Sequence, residues 1–308
     1  MAAKELADRA STVRLSYRPP FDWDFFLAFH AARALPGVEH VSCRSYWRVV
    51  RVGDYLGCLQ VTGAAADSLS ATLMPADDGA LATLVPALRR AFDLDADPAQ
   101  VQAGLAHDVL LQPLLAARPG LRVAGSVDPF EQAVRAILGQ QISVVAARNL
   151  GGRLAARWGT PLPGANDDRL AFAFPTAAVL ADADVGSLGM PGKRGAAVSR
   201  LAAQLLATPD LFARADSLGA SIAKLEALPG LGPWTAHYIA MRALREPDAF
   251  PASDVGLLRA WGELSGARVS VTEFSARAEC WRPWRAYAAQ HLWAHGAAPI
   301  AGTATVRQ

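Results

Sequence analysis

Apolar residues alternate in strand fashion along the first third of the chain, then recur at helical spacing after Gly125, in segments that proline or glycine closes every roughly ten to twenty residues. A chain whose hydrophobic period changes in this way has to be α+β, with a sheet-bearing unit ahead of a helical one. The alternating runs are 12–17, 45–52, 55–61 and 68–73, and Gly53-Asp54 between the middle two has hairpin chemistry. Two helices are expected to cover this antiparallel sheet. One spans 22–35 with Asp22 as its cap; the other spans 80–92 and repeats Leu81, Leu84, Leu88 and Phe92 on one face. Beyond the change of texture, helices are predicted over 129–138, 143–158, 176–181, 193–206, 221–227, 233–244, 254–264, 271–278 and 283–295. Their short connections make the second unit an all-helical bundle.

A length of 308 residues suits two or three packed units. The net charge of +2 permits a nucleic-acid partner without demanding one, and lysine occurs only at Lys4, Lys193 and Lys224. Cys43, Cys58 and Cys280 lack the short spacings of zinc or iron–sulfur sites, so reduced thiols and no metal are expected. No signal peptide or uncharged stretch of membrane-spanning length occurs, which predicts a soluble cytoplasmic protein with no membrane partner.

The stretch LPGLGPWTAHY, residues 228–238, places two glycines and two prolines directly before a helix. Gly230 and Gly232 can take positive φ, and Pro233 suits the first helical position. The first-turn amides then point outward at the positive end of the helix dipole, where they can hold a phosphate without reading sequence. Taken alone, the turn fits an ordinary helix–helix connection with Leu231 plugging the core. Shortly downstream, FPASDVGLLRAWG starts another helix at Ser253 or Asp254, and taken alone Asp254 is an N-cap.

Together, LPGLGPWTAHYIAMRAL and FPASD resemble the helix-hairpin-helix, Gly/Pro-rich loop and aspartate signature of base-excision DNA glycosylases. The segments YRPPFDWDFFLAFHAARALPGVE, DPFEQAVRAILGQQIS, LGMPGKR and WRPWRAYAAQHLW resemble, in the same order, the DNA-3-methyladenine glycosylase II (AlkA-type) family. The resemblance covers nearly everything between Leu15 and Gly296.

It implies a TATA-binding-protein-like N-terminal α/β domain over 12–125 and a helix-hairpin-helix glycosylase core over 126–297, the cleft lying between two helical subdomains. It makes Asp254 the catalytic residue, with Gly230, Leu231, Gly232, Pro233 and Thr235 as the DNA-phosphate grip. The implied function is excision of 3-methyladenine and related alkylpurines from double-stranded DNA. A bacterial monomer working at the nucleoid, with no cofactor, is expected. A cationic methylated base leaves as a neutral one, so the chemistry needs a carboxylate to stabilise positive charge developing on the sugar more than it needs a general acid. Lyase-type relatives carry a Schiff-base lysine two residues after the second hairpin glycine. Trp234 stands there, which implies a monofunctional hydrolase.

A flipped cationic base suits aromatic walls, for which Trp234, Tyr238 and Trp293 are candidates. The i, i+4 spacing of Trp234 and Tyr238 fits plain core equally well. On the last helix Trp281, Trp284, Ala288 and Leu292 form one stripe, from which Trp293 is turned by about 100° toward a cleft. Phe29 matches a pocket residue from the N-terminal domain, although its spacing from Phe25 also fits core. Two positions depart from the best-known member of the family. Gln141 replaces its wedging leucine, which puts the wedge in question, and Val255 replaces the aromatic after the aspartate, which removes one wall. Two other readings stay open from sequence: a glycosylase for oxidised or deaminated bases, and a non-catalytic helix-hairpin-helix DNA-binding module.

Overall fold

The computed structural model describes residues 10–42, 44–165 and 167–296; Lys4, Cys43 and the last residue of the expected core, Ala297, lie outside the described residues. The fold is α+β. Strands β1 (Ser11–Ser16), β2 (Glu39–Ser42), β3 (Ser45–Val52), β4 (Tyr55–Ala65) and β5 (Ser68–Met74) form a five-stranded antiparallel sheet in the order β1-β5-β4-β3-β2. The β3–β4 hairpin closes on the Val52–Tyr55 pair around Gly53, whose φ of +56° suits glycine. Leu59 and Val61 of β4 and Leu69, Ala71 and Leu73 of β5 put their alternate side chains on one buried face. Helix α1 (Trp23–Arg33) brings Phe26 and Leu27 to that face, and α2 (Asp78–Ala91) brings Leu81, Leu84 and Leu88. Asp22 and Asp77 cap these helices by accepting from Phe25 N and Ala80 N.

Two short helices, α3 (Pro98–Leu105) and α4 (Gln112–Ala117), fall where no helix was expected. Their Val101, Leu105 and Leu115 join Leu35 and Val38 in a second apolar cluster, which continues through the C-terminal helices. The two cores therefore interleave in sequence, because the chain returns to the second core before Gly125. Helices α5 (Pro129–Leu138), α6 (Val144–Trp158), α7 (Ala177–Ala181), α8 (Gly192–Ala207), α9 (Leu218–Glu226), α10 (Pro233–Arg242), α11 (Val255–Ser265), α12 (Val271–Ala278) and α13 (Arg285–Gly296) build the rest.

This half is helical, as expected, apart from one short segment. A two-stranded ribbon, β6 (Thr160–Pro161) with β7 (Phe172–Ala173), interrupts it. The ribbon leans on the N-terminal sheet: Gly37 O accepts from Ala171 N and Phe172 N, and Arg51 Nη2 donates to Thr160 Oγ1 at 2.7 Å. The last helix also begins later than expected. Pro283 bars a helical conformation at Arg282, which sits at φ −61° and ψ 141°, so Trp281 occupies a separate 3-10 turn rather than the α13 stripe. There its indole donates to Asp108 Oδ2 at 2.7 Å, deep in the core. No helix among the described residues is long and apolar enough to cross a membrane.

Candidate active site

Helices α10, α11 and α13 converge with α1 and α5 around a cleft that encloses about 500 Å³. Asp254 is the N-cap of α11, and its Oδ1 accepts from Leu257 N at 3.0 Å. The same carboxylate is held from two other helices. Trp293 Nε1 on α13 donates to Oδ1 at 2.9 Å, and Trp234 Nε1 on α10 donates to Oδ2 at 2.9 Å. The capping role and the cleft role thus coexist. Both oxygens are oriented by neutral donors, with no guanidinium or ammonium paired to them among the described residues.

Trp234 and Tyr238 stack with centroids 5.1 Å apart and planes 10° apart, and Trp293 meets Tyr238 edge-on at 6.2 Å. All three line the cleft, as does Phe29 from α1. Leu292 is fully buried while Trp293 is half-exposed, which is the divergence that helical geometry gives to adjacent residues. Val255 is 80 % exposed and makes no wall.

The segment before α10 is a tight turn: Leu231 N donates to Leu228 O, and the first bond of the helix runs from Ala236 N to Gly232 O. Gly230 has φ +97°, and a Cβ there would lie 2.6 Å from Ala197 Cβ, so both backbone and space require glycine. Gly232 differs from expectation. Its φ is −90° with ψ 177°, and nothing crowds it; as a cap it needs extended backbone, which any residue adopts. No side chain caps this helix, which leaves the amides of its first turn facing outward. Gly230, Gly232 and Pro233 are exposed, whereas Leu231 and Thr235 are buried. Leu231 plugs the core, and Thr235 Oγ1 accepts from Gln140 Nε2 at 2.9 Å, so neither presents its side chain to a ligand.

Gln140 also donates to Gly230 O, and its own carbonyl accepts from Arg194 Nη2, tying the turn after α5 to the hairpin. Next to it, Gln141 is exposed with φ +55°, an uncommon conformation for a non-glycine residue, and it lies in sequence between the cleft-lining Gly139 and Ile142.

The charges of the cleft were not foreseen. Glu39 and Glu131 pair with Arg48 and Arg135: Arg48 Nη2 reaches Glu131 at 2.6 Å, and Arg135 Nη1 reaches Glu39 at 2.7 Å and Glu131 at 3.0 Å. Burial opposes the Glu39 charge, but Arg135 and Arg48 outweigh it and hold the carboxyl down at about 2. Arg135 also donates to Arg33 O, fixing the end of α1 that carries Phe29. Arg242 lies among the aromatic walls, 4.8 Å from the Phe29 centroid, 5.3 Å from Trp293 and 5.5 Å from Tyr238. Burial lowers its pKa to about 10. Trp234, Tyr238 and Arg242 follow one another at i, i+4 and i+8, a continuation that the sequence displayed and the aromatic pair concealed.

The pattern described as the AlkA N-terminal domain matches residues 12–128. Over 284 residues the chain is 37 % identical to DNA-3-methyladenine glycosylase 2 of Escherichia coli K12, covering 91 % of this chain and 95 % of that protein. The chain belongs to this AlkA-type glycosylase family. It is also 40 % identical over 287 residues to the probable bifunctional transcriptional activator/DNA repair enzyme AlkA of Mycobacterium tuberculosis, covering 92 % of this chain but spanning 56 % of that relative. In fold it matches a 3-methyladenine DNA-glycosylase from Archaeoglobus fulgidus with a TM-score of 0.80 at 20 % identity, covering 92 % of this chain and 98 % of that one. In this AlkA-type chain the glycosylase signature and the carboxylate clamp are one place in space.

Proposed function

We propose that the protein is a monofunctional DNA glycosylase that flips alkylated bases out of duplex DNA and releases them by hydrolysis of the N-glycosidic bond. The observation that carries this reading is the Asp254 carboxylate, fixed by the Leu257 amide and two indole N–H groups at the edge of an aromatic-walled cleft with room for a flipped base. An aromatic cleft alone would fit many ligands. A preorganised negative charge beside it stabilises positive charge developing on a sugar, without waiting for the site to rearrange. The same carboxylate can align the attacking water once the base departs.

The hairpin grips phosphate through the open first turn of α10, and Gln141 fills the gap left by the flipped nucleotide. These roles fit their positions: an exposed turn, an uncapped helix end and an exposed residue between two that line the cleft. No lysine lines the cleft among the described residues, and Lys224 Nζ is engaged with Asp210 O outside it. Without an amine near the sugar no Schiff base forms, and the product is an intact abasic strand.

The test uses methylated duplex DNA, with released bases separated by chromatography and the strand followed on a denaturing gel. Release of methylpurines with the strand unbroken before alkali, and no protein trapped by borohydride, is expected. A borohydride-trapped complex that forms only with turnover contradicts the monofunctional reading, and absence of any released base contradicts the glycosylase reading.

A further inference from the structure

One side chain joins the turn between α5 and α6 to the hairpin before α10. Gln140 Nε2 carries two hydrogens, and both go to the hairpin: one to Gly230 O at 3.0 Å, the other to Thr235 Oγ1 at 2.9 Å. The Gly230 carbonyl shares a peptide plane with the Leu231 N–H, which donates to Leu228 O, so that unit is held from both sides. The main chain of Gln140 is held as well. Its N–H donates to Ile137 O at 3.2 Å, and its carbonyl accepts from Arg194 Nη2 at 2.6 Å. That carbonyl and the Gln141 N–H share one plane, so Arg194 fixes the peptide from which Gln141 departs at φ +55°. Arg194 lies on α8 three residues before Ala197, whose Cβ packs against Gly230. The same face of α8 therefore braces both the turn and the hairpin.

A phosphate grip fixes where a strand sits, and a wedge has to enter the stack at a set distance from that grip. Here the two are carried by segments 90 residues apart in the chain, so tertiary contacts alone can set the distance. We propose that Gln140 is a positioning residue that holds Gln141 in register with the hairpin, so that seating the hairpin on a strand places Gln141 at the nucleotide to be flipped. The proposal rests on the wedge and grip roles of the glycosylase reading and deepens it by naming what couples them. With both side-chain donors committed inside the protein, Gln140 acts through Gln141 and the hairpin rather than on the nucleotide. Positive φ in a glutamine persists only where surrounding contacts maintain it, and those contacts are the bonds that Gln140 makes. A wedge is needed where a base leaves an intact stack and hardly at all where the strand is already unpaired, whereas the grip and Asp254 serve both cases.

The experiment measures single-turnover release of 7-methylguanine from one strand in two settings, fully paired in a duplex and placed in an unpaired loop, together with affinity for undamaged duplex. Wild type is compared with Gln140→Leu, Thr235→Val, the two combined, and Gln141→Ala, and thermal melting establishes that each variant is folded. Gln140→Leu keeps the bulk of the side chain and removes both donors. It should slow release from the paired duplex about tenfold while changing loop release and undamaged-duplex affinity by less than about threefold. Gln141→Ala should show the same pattern, since it removes the wedge itself. Thr235→Val should shift the paired-to-loop ratio the same way by less, and the combined variant should lose no more than Gln140→Leu alone, because both changes break one bond. If Gln140→Leu does not fold, Thr235→Val carries the same directional prediction.

A folded Gln140→Leu that leaves the paired-to-loop ratio at the wild-type value, while Gln141→Ala moves it, overturns the proposal alone. So does a fall in both rates together with undamaged-duplex affinity, which reduces Gln140 to a structural support of the hairpin. A Gln141→Ala variant with unchanged release from the paired duplex overturns the wedge role and this proposal with it. A wild type that releases no base in either setting overturns the glycosylase reading itself, which keeps the failures distinct.

Discussion

In the proposed function, Asp254 combines two demands that sequence alone presents as rivals. An N-cap carboxylate must accept from its own helix, and a charge-stabilising carboxylate must face a substrate. One oxygen meets the first demand, accepting from Leu257 N, and the two indoles fix the plane that faces the cleft. Trp293→Phe keeps the ring and removes the donor from Oδ1. A hydrogen bond to a charged group is worth about 1.5–3 kcal/mol, so the single-turnover excision rate should fall about tenfold or more while affinity for undamaged duplex is retained. An unchanged rate would show that the indole acts only as a wall. Asp254 was legible because its motif is local and specific. The Glu39–Arg48–Glu131–Arg135 network was not, because its partners are separated by as many as 96 residues and no local period links them. Arg242 was hidden for another reason: a charged residue at the end of an aromatic stripe reads as a helix leaving the core, and only the tertiary fold puts it back among rings.

At the level of elements, the hairpin divides labour between its glycines. Gly230 is required by its φ of +97° and the nearness of Ala197, while Gly232 has ordinary backbone and open space around it. Gly230→Ala should therefore destabilise the fold by roughly 1–3 kcal/mol, measured by denaturant unfolding, whereas Gly232→Ala should be nearly neutral. Gly232→Asp adds negative charge at the proposed phosphate grip without backbone strain, and it should weaken damaged and undamaged duplexes alike in a binding titration. A loss confined to lesion-bearing DNA would make the segment part of base readout. Most elements were legible in the sequence, since their apolar period and capping residues agree. The edge strand β2 was missed because it has only four residues, and α3 because Val101 and Leu105 alone mark its buried face. The last helix was begun too early, because the tryptophan spacing continues across Pro283 although the backbone cannot.

For the whole molecule, the cleft forms where the sheet-bearing and helical cores meet, and histidines lowered by burial make the fold sensitive to acid. His30 Nε2 is buried without a partner, and burial lowers its pKa from 6.5 to about 3; His237 and His291 are lowered by burial to about 4. A histidine held neutral in the fold binds its proton only on unfolding, so stability should fall as pH drops from 6.5 toward those values. Each such group contributes a slope of up to about 1.4 kcal/mol per pH unit. Glu39, held near 2, adds to the loss in the same direction as pH falls from about 4.5 toward 2. Replacing His30 by Gln should reduce the slope between pH 6 and pH 4 by roughly 1 kcal/mol per unit in denaturant titrations, and an unchanged slope would mean that His30 is protonated in the fold. The central claim, however, is that this assembly exists to present one charge to a flipped nucleotide, and it is tested most directly by single-turnover base release from methylated duplex DNA with Asp254→Asn. Asparagine keeps the N-cap acceptor and removes the charge. Folding and lesion binding should persist while excision falls roughly 100-fold to 1000-fold; excision at the wild-type rate by the folded variant would contradict the account.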